Sequence, residues 1–319
     1  MKKILAADIG GTNSRFAFFE VDQREDLNLL ETMWLKTSGS SSFTDLIGNL
    51  KIEGFPLSPE DSDVAVFAIA GPVEQGIKCS PPFISWDIDI SNAKNELGFR
   101  KVFLINDFVA QAYACCSQIG RNAERVKTGT AVQNSTVSVI GAGTALGKAV
   151  IIPDEQGGYL AIPSEGGHAS FPFETMEECE FRDFLINETG DSYITWNKVV
   201  SGNGLIHIHQ YLTGEKLEPQ VIVEGFTGNS KTLEWASKFY GRACRNFALE
   251  TLSLGGIYIS GGVAANTPDL VTHKAFADEF EHSDTLSDLL IKIPVFLIRE
   301  QNAGLWGCAF LAQQKLRED

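Results

Sequence analysis

The segment Ala7-Asp8-Ile9-Gly10-Gly11-Thr12-Asn13-Ser14-Arg15 lies between two apolar runs, residues 4–7 and 16–21. A strand that meets two glycines and leaves at once as a second strand is typical of a β-hairpin. Adjacent glycines permit positive φ and carry no Cβ, so an anion could approach their N–H groups. The Thr12 hydroxyl and Arg15 add donors for phosphate, and Asp8 could hold Mg²⁺ through water ligands. The segment predicts a phosphate-binding hairpin or, alternatively, an ordinary hairpin with Gly-Gly at its tip.

Length and composition restrict the classes of protein. The chain has 319 residues, enough for two domains, and 44% of them are apolar. The net charge of −15 argues against nucleic acid or an anionic membrane surface as partner, but not against ATP in a local cluster of donors. No apolar run approaches about 18 residues, so we expect no membrane span. The six cysteines show no C-x-x-C spacing, which favours free thiols and a cytoplasmic location.

Strand-like and helical segments alternate along the chain, which predicts an α/β architecture. The strand-like segments are 64–69, 102–105, 136–140, 148–152, 257–260 and 295–298, and the helical ones are 43–50, 91–97, 108–117, 177–188, 232–252 and 302–316. The pattern strand, Gly10-Gly11-Thr12, strand recurs as strand, Gly141-Ala142-Gly143-Thr144, Leu146-Gly147, strand. This recurrence indicates two related halves, with chance repetition in a chain of 30 glycines as the alternative.

Asn106 and Asp107 follow a buried strand-like segment and precede a helical one. They therefore lie at the carboxyl edge of a sheet, where ligands of open α/β sheets usually bind. Asp107 could accept a proton from a hydroxyl group, with Asn106 orienting that group through its amide. Alternatively, the pair simply caps the helix that follows.

Two later segments also place polar groups or bare backbone at turns. Glu165-Gly166-Gly167-His168 combines a carboxylate with an imidazole, which suits sugar hydroxyls; a metal site would need further Cys or His ligands nearby, and none follow. Ser260-Gly261-Gly262 ends a strand in a turn without side chains, where adenine or ribose could lie, or which could be a plain strand-to-helix turn. His207 and His209 are interpreted as surface or helix-packing residues.

These segments, in this order, resemble the motifs of bacterial glucokinases, which belong to the hexokinase and actin-like ATPase superfamily. The resemblance runs from residue 3 to about residue 311. It implies the actin-like ATPase (ribonuclease H-like) α/β fold, with two α/β domains flanking a cleft that closes on the sugar. The small domain would comprise residues 1–112 plus 302–319, and the large domain residues 113–301. We also expect a homodimer.

The resemblance implies an ATP-dependent hexokinase that phosphorylates the 6-hydroxyl of glucose, the first step of glycolysis, with Asp107 as general base. ATP and Mg²⁺ are the implied cofactors, and no residue is expected to ligate the metal directly, although Asp8 would lie near it through water. The implied sugar-binding residues are Asn106, Asp107, Glu165, His168 and Asn197. The implied ATP-binding residues are Ala7, Asp8, Ile9, Gly10, Gly11, Thr12, Gly143, Thr144, Gly261 and Gly262.

Three departures from the family pattern concern the phosphate motif and the sugar. Ala145 stands where the second phosphate motif usually has a glycine, Asn197 stands where a sugar-binding Glu is usual, and the segment 80–86 lacks the Thr-Asn usual before Trp86. The cysteine cluster of zinc-containing relatives is absent, so zinc is not expected. The alternatives are a kinase for another hexose or an N-acetylhexosamine, and a sugar-independent actin-like ATPase. A sugar-sensing repressor of the same fold would need a DNA-binding helix-turn-helix before the first phosphate motif. Only seven residues precede Asp8 in the sequence, so a repressor is not expected.

Overall fold

The computed structural model of the chain describes residues 1–155 and 157–318. These residues form two compact units, of which the first comprises Met1–Arg121 and the chain from Asn302 onward, and the second comprises Asn122–Gln301. A boundary after residue 112, as the sequence suggested, would cut the helix Asp107–Cys116. The division after Arg121 keeps that helix whole and lies nine residues later.

The first unit is built on a five-stranded sheet with the strand order β3-β2-β1-β4-β7. β1, β2 and β3 are antiparallel neighbours, whereas β4 and β7 run parallel to β1. The strands are β1 Lys2–Ile9, β2 Asn13–Val21, β3 Leu27–Lys36, β4 Val64–Ile69 and β7 Val102–Asn106, with a separate ribbon of β5 Lys78–Cys79 and β6 Ile88–Asp89. The helices are α1 Phe43–Ile52, α2 Ala93–Leu97, α3 Asp107–Cys116, α4 Gln118–Arg121 and α14 Ala303–Arg317.

The second unit is built on a six-stranded sheet with the order β11-β10-β9-β12-β13-β8. The strands are β8 Glu124–Lys127, β9 Val137–Ala142, β10 Leu146–Pro153, β11 Tyr159–Ser164, β12 Gly256–Ile259 and β13 Val295–Leu297. The helices are α5 Met176–Thr189, α6 Trp196–Val199, α7 Gly202–Thr213, α8 Pro219–Glu224, α9 Lys231–Thr251, α10 Gly262–Asn266, α11 Asp269–Thr272, α12 Lys274–Glu281 and α13 Ser287–Lys292. The long amphipathic α9 buries one face, as its 3.6-residue period predicted.

The two sheets share one topology. In each, a first strand (β1 or β9) forms an antiparallel hairpin with the next strand, and a third strand (β3 or β11) extends the meander. Two later strands, β4 and β7 or β12 and β13, then join in parallel on the other side of the first strand. The expected relation between the halves is confirmed in their strand topology, and β8 is an extra edge strand antiparallel to β13.

β1 is buried on both faces, as its continuous apolar run predicts. Leu5, Ala7 and Ile9 join the core that includes α1. The other face is covered by α14, where Trp306 packs edge-to-face on Phe19 of β2 with ring centroids 4.9 Å apart. This double coverage fixes the end of β1, and therefore the hairpin that follows it.

Two general properties concern membranes and thiols. In the part of the chain that the structure describes, no helix has both the length and the apolar character needed to cross a bilayer. All six cysteines are free thiols, and burial raises the pKa of Cys116 to about 12.

Candidate active site

The first hairpin turns at Gly10, Gly11 and Thr12, and the Gly10 N–H donates to the carbonyl oxygen of Asn13 at 3.1 Å. Neither glycine has a positive φ, so the expected left-handed backbone is not the reason for the Gly-Gly pair. Space is the reason at Gly11, where an added Cβ would lie 2.6 Å from Cβ and 2.9 Å from the carbonyl oxygen of Phe83. The glycine therefore allows the turn to pack directly on the segment that carries Phe83.

Asp8 lies next to the end of β1, opposite Arg15 of β2. Burial raises the pKa of the Asp8 carboxyl, and the positive charge of Arg15 opposes that rise. On the α14 side, a Cβ added at Gly304 would lie 3.4 Å from an Asp8 oxygen and 3.3 Å from Nε2 of Gln111. Mg²⁺ held through water would offset the cost of burying this charge, so the residues present fit that ion. The Arg15 guanidinium lies over the Trp34 ring, 4.2 Å from its centroid.

Asn106 ends β7 and Asp107 begins α3. The Asn106 Oδ1 accepts the N–H groups of Phe108 (2.8 Å) and Val109 (3.4 Å), so the capping interpretation is confirmed for this residue. Its amide nitrogen donates to the carbonyl oxygen of Gly71 at 3.1 Å, which leaves one N–H for a ligand. Asp107 is half-buried at the strand end. Burial of the Cys79 thiol and, to a smaller extent, the negative charge of Asp107 raise the pKa of that thiol to about 11.

The second hairpin turns at Gly143, Thr144 and Ala145, between β9 and β10. Its backbone is held on both sides. The Gly202 N–H donates to the Gly143 carbonyl oxygen at 3.0 Å, and the Leu146 N–H donates to Oδ1 of Asn197 at 2.8 Å. Ala145 does not have a positive φ, so its methyl group fits where the family usually has glycine. A Cβ added at Gly143 would meet nothing within 4 Å, so this part of the loop is open to a ligand.

Glu165 and His168 lie at the ends of a short 3₁₀ turn, with Oε2 and Nε2 3.9 Å apart and both side chains exposed. The turn packs on the second hairpin through Gly167, where a Cβ would lie 2.1 Å from the Leu146 carbonyl oxygen and 2.5 Å from Oδ1 of Asn197. That same Oδ1 accepts the Leu146 N–H at 2.8 Å. The glycines thus bring the carboxylate, the imidazole and Asn197 next to the second hairpin.

Gly261 brings the strand end of β12 to the same hairpin. Its φ is +101°, and an added Cβ would lie 2.9 Å from the Ala142 carbonyl oxygen, so only glycine fits. A cavity of about 430 Å³ adjoins the hairpin. Its lining includes Thr144, Asn197, Lys198, Asn203, His207 and Lys216. Of its two lysines, Lys198 pairs with Asp191 at 2.9 Å, so Lys216 and the hairpin backbone are the groups with which this cavity can accept an anionic ligand.

A comparison with known protein families shows which family the chain belongs to. The family model described as Glucokinase matches residues 5–315. The chain belongs to the glucokinase family. Among curated relatives, the glucokinase of Saccharophagus degradans is 30% identical over 97% of this chain and 98% of its own length. The glucokinase of Nostoc punctiforme is 28% identical over 98% of this chain and 99% of its own.

Solved structures give the same result for the fold. A glucokinase from an Antarctic psychrotroph has a TM-score of 0.83 and 26% identity, covering 98% of this chain and 99% of the other. A ROK family glucokinase from Streptomyces griseus, solved in complex with glucose and AMPPNP, has a TM-score of 0.63 and 19% identity, covering 98% and 99%. This glucokinase-family chain has the actin-like ATPase fold and is a transferase, a hexose kinase. The expected homodimer and cytoplasmic location stay predictions.

Within each unit, the residues predicted from glucokinase motifs converge. In the first unit, Ile9 of β1 and Asn106 of β7 both pair with Ile69 of β4, so the first loop and Asp107 follow strand ends at one edge of the sheet. In the second unit, the three segments that hold Glu165–His168, Asn197 and Gly261 lie against the second hairpin. Sequence reasoning missed Asn203 and Lys216, which belong to no motif and line the cavity only because of how α7 packs. His207 also lines it, while His209 packs against Thr232 of α9 as predicted. Among residues 1–155 and 157–318, no group of three His, Cys, Asp or Glu side chains is arranged to hold a metal ion.

Proposed function

We propose that this glucokinase-family enzyme transfers the γ-phosphoryl group of ATP to the 6-hydroxyl of glucose, giving glucose 6-phosphate and ADP. The observation that carries the proposal is Asp107, a carboxylate at the junction of β7 and α3, where a parallel strand ends. The family assignment and the S. griseus relative, solved with glucose and an ATP analogue, support it.

Asp107 would act as general base in this reaction. Its carboxylate accepts the proton of the 6-hydroxyl as that oxygen bonds to the γ-phosphorus and the bond to the ADP oxygen breaks. Asn106 orients the hydroxyl through the amide N–H that its capping role leaves over.

Backbone N–H groups would hold the nucleotide phosphates. Gly11 and Thr12 would provide them in the first unit and Thr144 in the second. Gly10 and Gly143, whose N–H groups donate within their own hairpins at 3.1 and 2.9 Å, would line the phosphate site without side chains. Gly261 and Gly262 would lie against the adenosine. Mg²⁺, bound through water near Asp8, supplies charge neutralisation to the phosphates.

The sugar ring would be recognised by Glu165 and His168, whose side chains together offer acceptors and a donor for neighbouring hydroxyls. The Asn197 NH₂ group is open to such a contact, while its oxygen already accepts the Leu146 N–H. Glucose is the proposed sugar. Because Asn197 is neutral where the family usually has a charged Glu, the preference among sugars is the property that needs measuring.

The variant Asp107→Asn keeps the shape of the side chain and removes the base. We expect kcat to fall by about 10²–10⁴-fold with little change in sugar affinity. Asp89→Asn, which alters an exposed carboxylate of the same unit, is the control and should keep normal turnover. Near-normal turnover of Asp107→Asn would refute the base role.

An ATP-coupled assay over glucose, its epimers and N-acetylhexosamines tests the substrate. Glucose should have the highest kcat/KM. A strong preference for another sugar would favour the alternative hexose or N-acetylhexosamine kinase, and ATP hydrolysis independent of any sugar would favour the actin-like ATPase.

A further inference from the structure

A cavity of about 250 Å³ lies within the first unit, and its lining includes no residue of the first glycine hairpin. Three parts of the chain form it: the turn between β2 and β3, the segment from the end of α3 to the end of α4, and the face of α14 from Trp306 to Arg317. Arg24, Arg121 and Arg317 line it, one from each part, and we call it the arginine pocket.

The charges in the arginine pocket are unevenly paired. Arg317 forms an ion pair with Glu25, with Nη2 and Oε2 2.6 Å apart. In the part of the chain that the structure describes, the guanidinium groups of Arg24 and Arg121 make no salt bridge or side-chain hydrogen bond. The chain has 41 acidic and 26 basic residues, so acidic side chains are in excess. A general surplus of basic residues therefore does not explain why two arginines are unpaired beside a third. The lining also includes two carboxylates, Glu25 and Asp26, so three arginines and two acidic residues give it a formal net charge of +1. The unpaired guanidinium groups of Arg24 and Arg121 can therefore accept an anion.

The floor of the arginine pocket is firmly packed. Trp306, 7% exposed, is held by Phe19, and Phe310 stacks on Tyr113 with ring centroids 6.4 Å apart. The side-chain amide of Gln313 donates to the carbonyl oxygen of Glu25, which ties the β2–β3 turn to α14. A fixed apolar floor with a cationic rim suits a small molecule that has a carbon skeleton and two or more negative charges. The volume is below the roughly 300–1,000 Å³ of sites for larger ligands, which excludes a whole nucleotide.

The arginine pocket shares its two helices with the proposed active site. α3 begins at Asp107 and its last residue, Cys116, lines the pocket. α14 has Gly304 beside Asp8 in its first turn and lines the pocket from Trp306 to Arg317. The two helices touch at Gly307, where an added Cβ would lie 1.7 Å from the Ala110 carbonyl oxygen. An anion joined to both Arg121 and Arg317 would bias the packing of α3 against α14, and with it Asp107 and Asp8.

We propose that the arginine pocket binds a small polyvalent anion, a phosphorylated or polycarboxylate metabolite, and that this binding regulates turnover. The regulatory part rests on the proposed function, whereas the binding part does not. Regulation acts through the positions of α3 and α14 and needs no covalent step.

Binding is measured by titration calorimetry with 3-phosphoglycerate, citrate and inorganic phosphate, at constant ionic strength and without Mg²⁺. A saturating ATP analogue occupies the glycine hairpins. The test variant is Arg24→Gln/Arg121→Gln, and the control is Arg100→Gln, which removes an exposed charge of the same unit outside the pocket. We expect one bound anion on the wild type and the control, and affinity at least about tenfold weaker in the test variant.

The preferred probe identifies the ligand chemistry, phosphate ester or carboxylate. No binding by the wild type would overturn the proposal. Equal binding by all three proteins would also overturn it and would indicate an adventitious ion only. In sugar-kinase assays the bound probe should change kcat or KM in the wild type and the control but not in the test variant. Binding without a kinetic change would refute the regulatory part. If the protein has no sugar-kinase activity, the proposed function is refuted, whereas the calorimetric test of anion binding remains valid.

Discussion

Asn197 joins the second hairpin to the segment that carries Glu165 and His168. Its Oδ1 accepts the Leu146 N–H at 2.8 Å and borders Gly167 closely enough to exclude a Cβ there. This oxygen therefore fixes the start of β10, directly after the loop that is proposed to hold phosphate. The side chain therefore supports the loop geometry, in addition to its proposed contact with the sugar.

Replacing Asn197 separates these two roles. Asn197→Ala leaves the Leu146 N–H without its acceptor, at a cost of about 1–3 kcal/mol, so we expect KM for ATP to rise along with KM for the sugar. Asn197→Asp keeps an acceptor oxygen and should have nearly the ATP KM of the wild type. Steady-state kinetics for both substrates checks this. A change confined to the sugar KM would mean that Asn197 acts on the sugar alone.

Single residues show which details sequence could predict. The cap at Asn106 was predictable because the capping bond is local, to Phe108 and Val109. The reason for Gly11 was not, because its close neighbour, Phe83, is distant in the chain and no local pattern reveals the approach. Lys216 had no sequence signal for the same reason, since its place in the cavity depends on the packing of α7.

At the scale of elements, α14 packs on α3 at unusually close range. Glycine at position 307 lets the two backbones meet, because a Cβ there would lie 1.7 Å from the carbonyl oxygen and 2.6 Å from the carbonyl carbon of Ala110. The contact is to backbone, so no side-chain rotation can relieve it. The two helices would have to separate.

Gly307→Ala should therefore lower the free energy of unfolding by about 1–3 kcal/mol or more. Gly48→Ala, in the exposed part of α1 where a Cβ meets nothing within 4 Å, is the matched control and should raise it by about 0.5–1 kcal/mol. Urea unfolding of both variants gives the two values. Equal effects would show that the close helix contact is not what glycine 307 provides.

Sequence reasoning found the central strands and missed edge strands. β4 was predicted with its bounds, because all six residues are buried and apolar. β3 and β11 are edge strands that leave much of their length exposed, and β11 exposes Leu160 and Ile162 and contains Pro163. Edge strands bury less surface, so their apolar alternation is weaker and easily lost.

At the scale of the whole molecule, stability depends on a buried ion cluster in the second unit. Arg242, fully buried, donates to Glu178 at 2.6 Å and to Glu279 at 2.7 Å. Lys238 donates to Glu178 at 2.7 Å. Burial alone would raise the pKa of Glu178, but hydrogen bonds from Arg242, from the Glu174 N–H and from Lys238 lower it to about 2.

A carboxyl whose pKa is lower in the folded state stabilises the fold above its unfolded pKa, near 4.3, and loses that contribution as pH falls towards 2. The free energy of unfolding should therefore drop by about 3 kcal/mol from Glu178 over this range. Glu178→Gln should remove that part of the pH dependence and cost about 1–3 kcal/mol at neutral pH, because Arg242 keeps Glu279 but loses its charged acceptor at Glu178. Glu177→Gln, exposed in the same helical turn, is the control. Identical acid-unfolding curves for all three proteins would contradict this role.

The order of the units along the chain bears on how the protein emerges during synthesis. At about 5–20 residues per second, the contiguous second unit takes roughly 10–40 s to translate, and only then does the 15-residue α14 follow. Until that moment the nascent first unit lacks the helix that covers Phe19 and one face of β1. The first unit, although translated first, can therefore complete its core only after the second unit has been made.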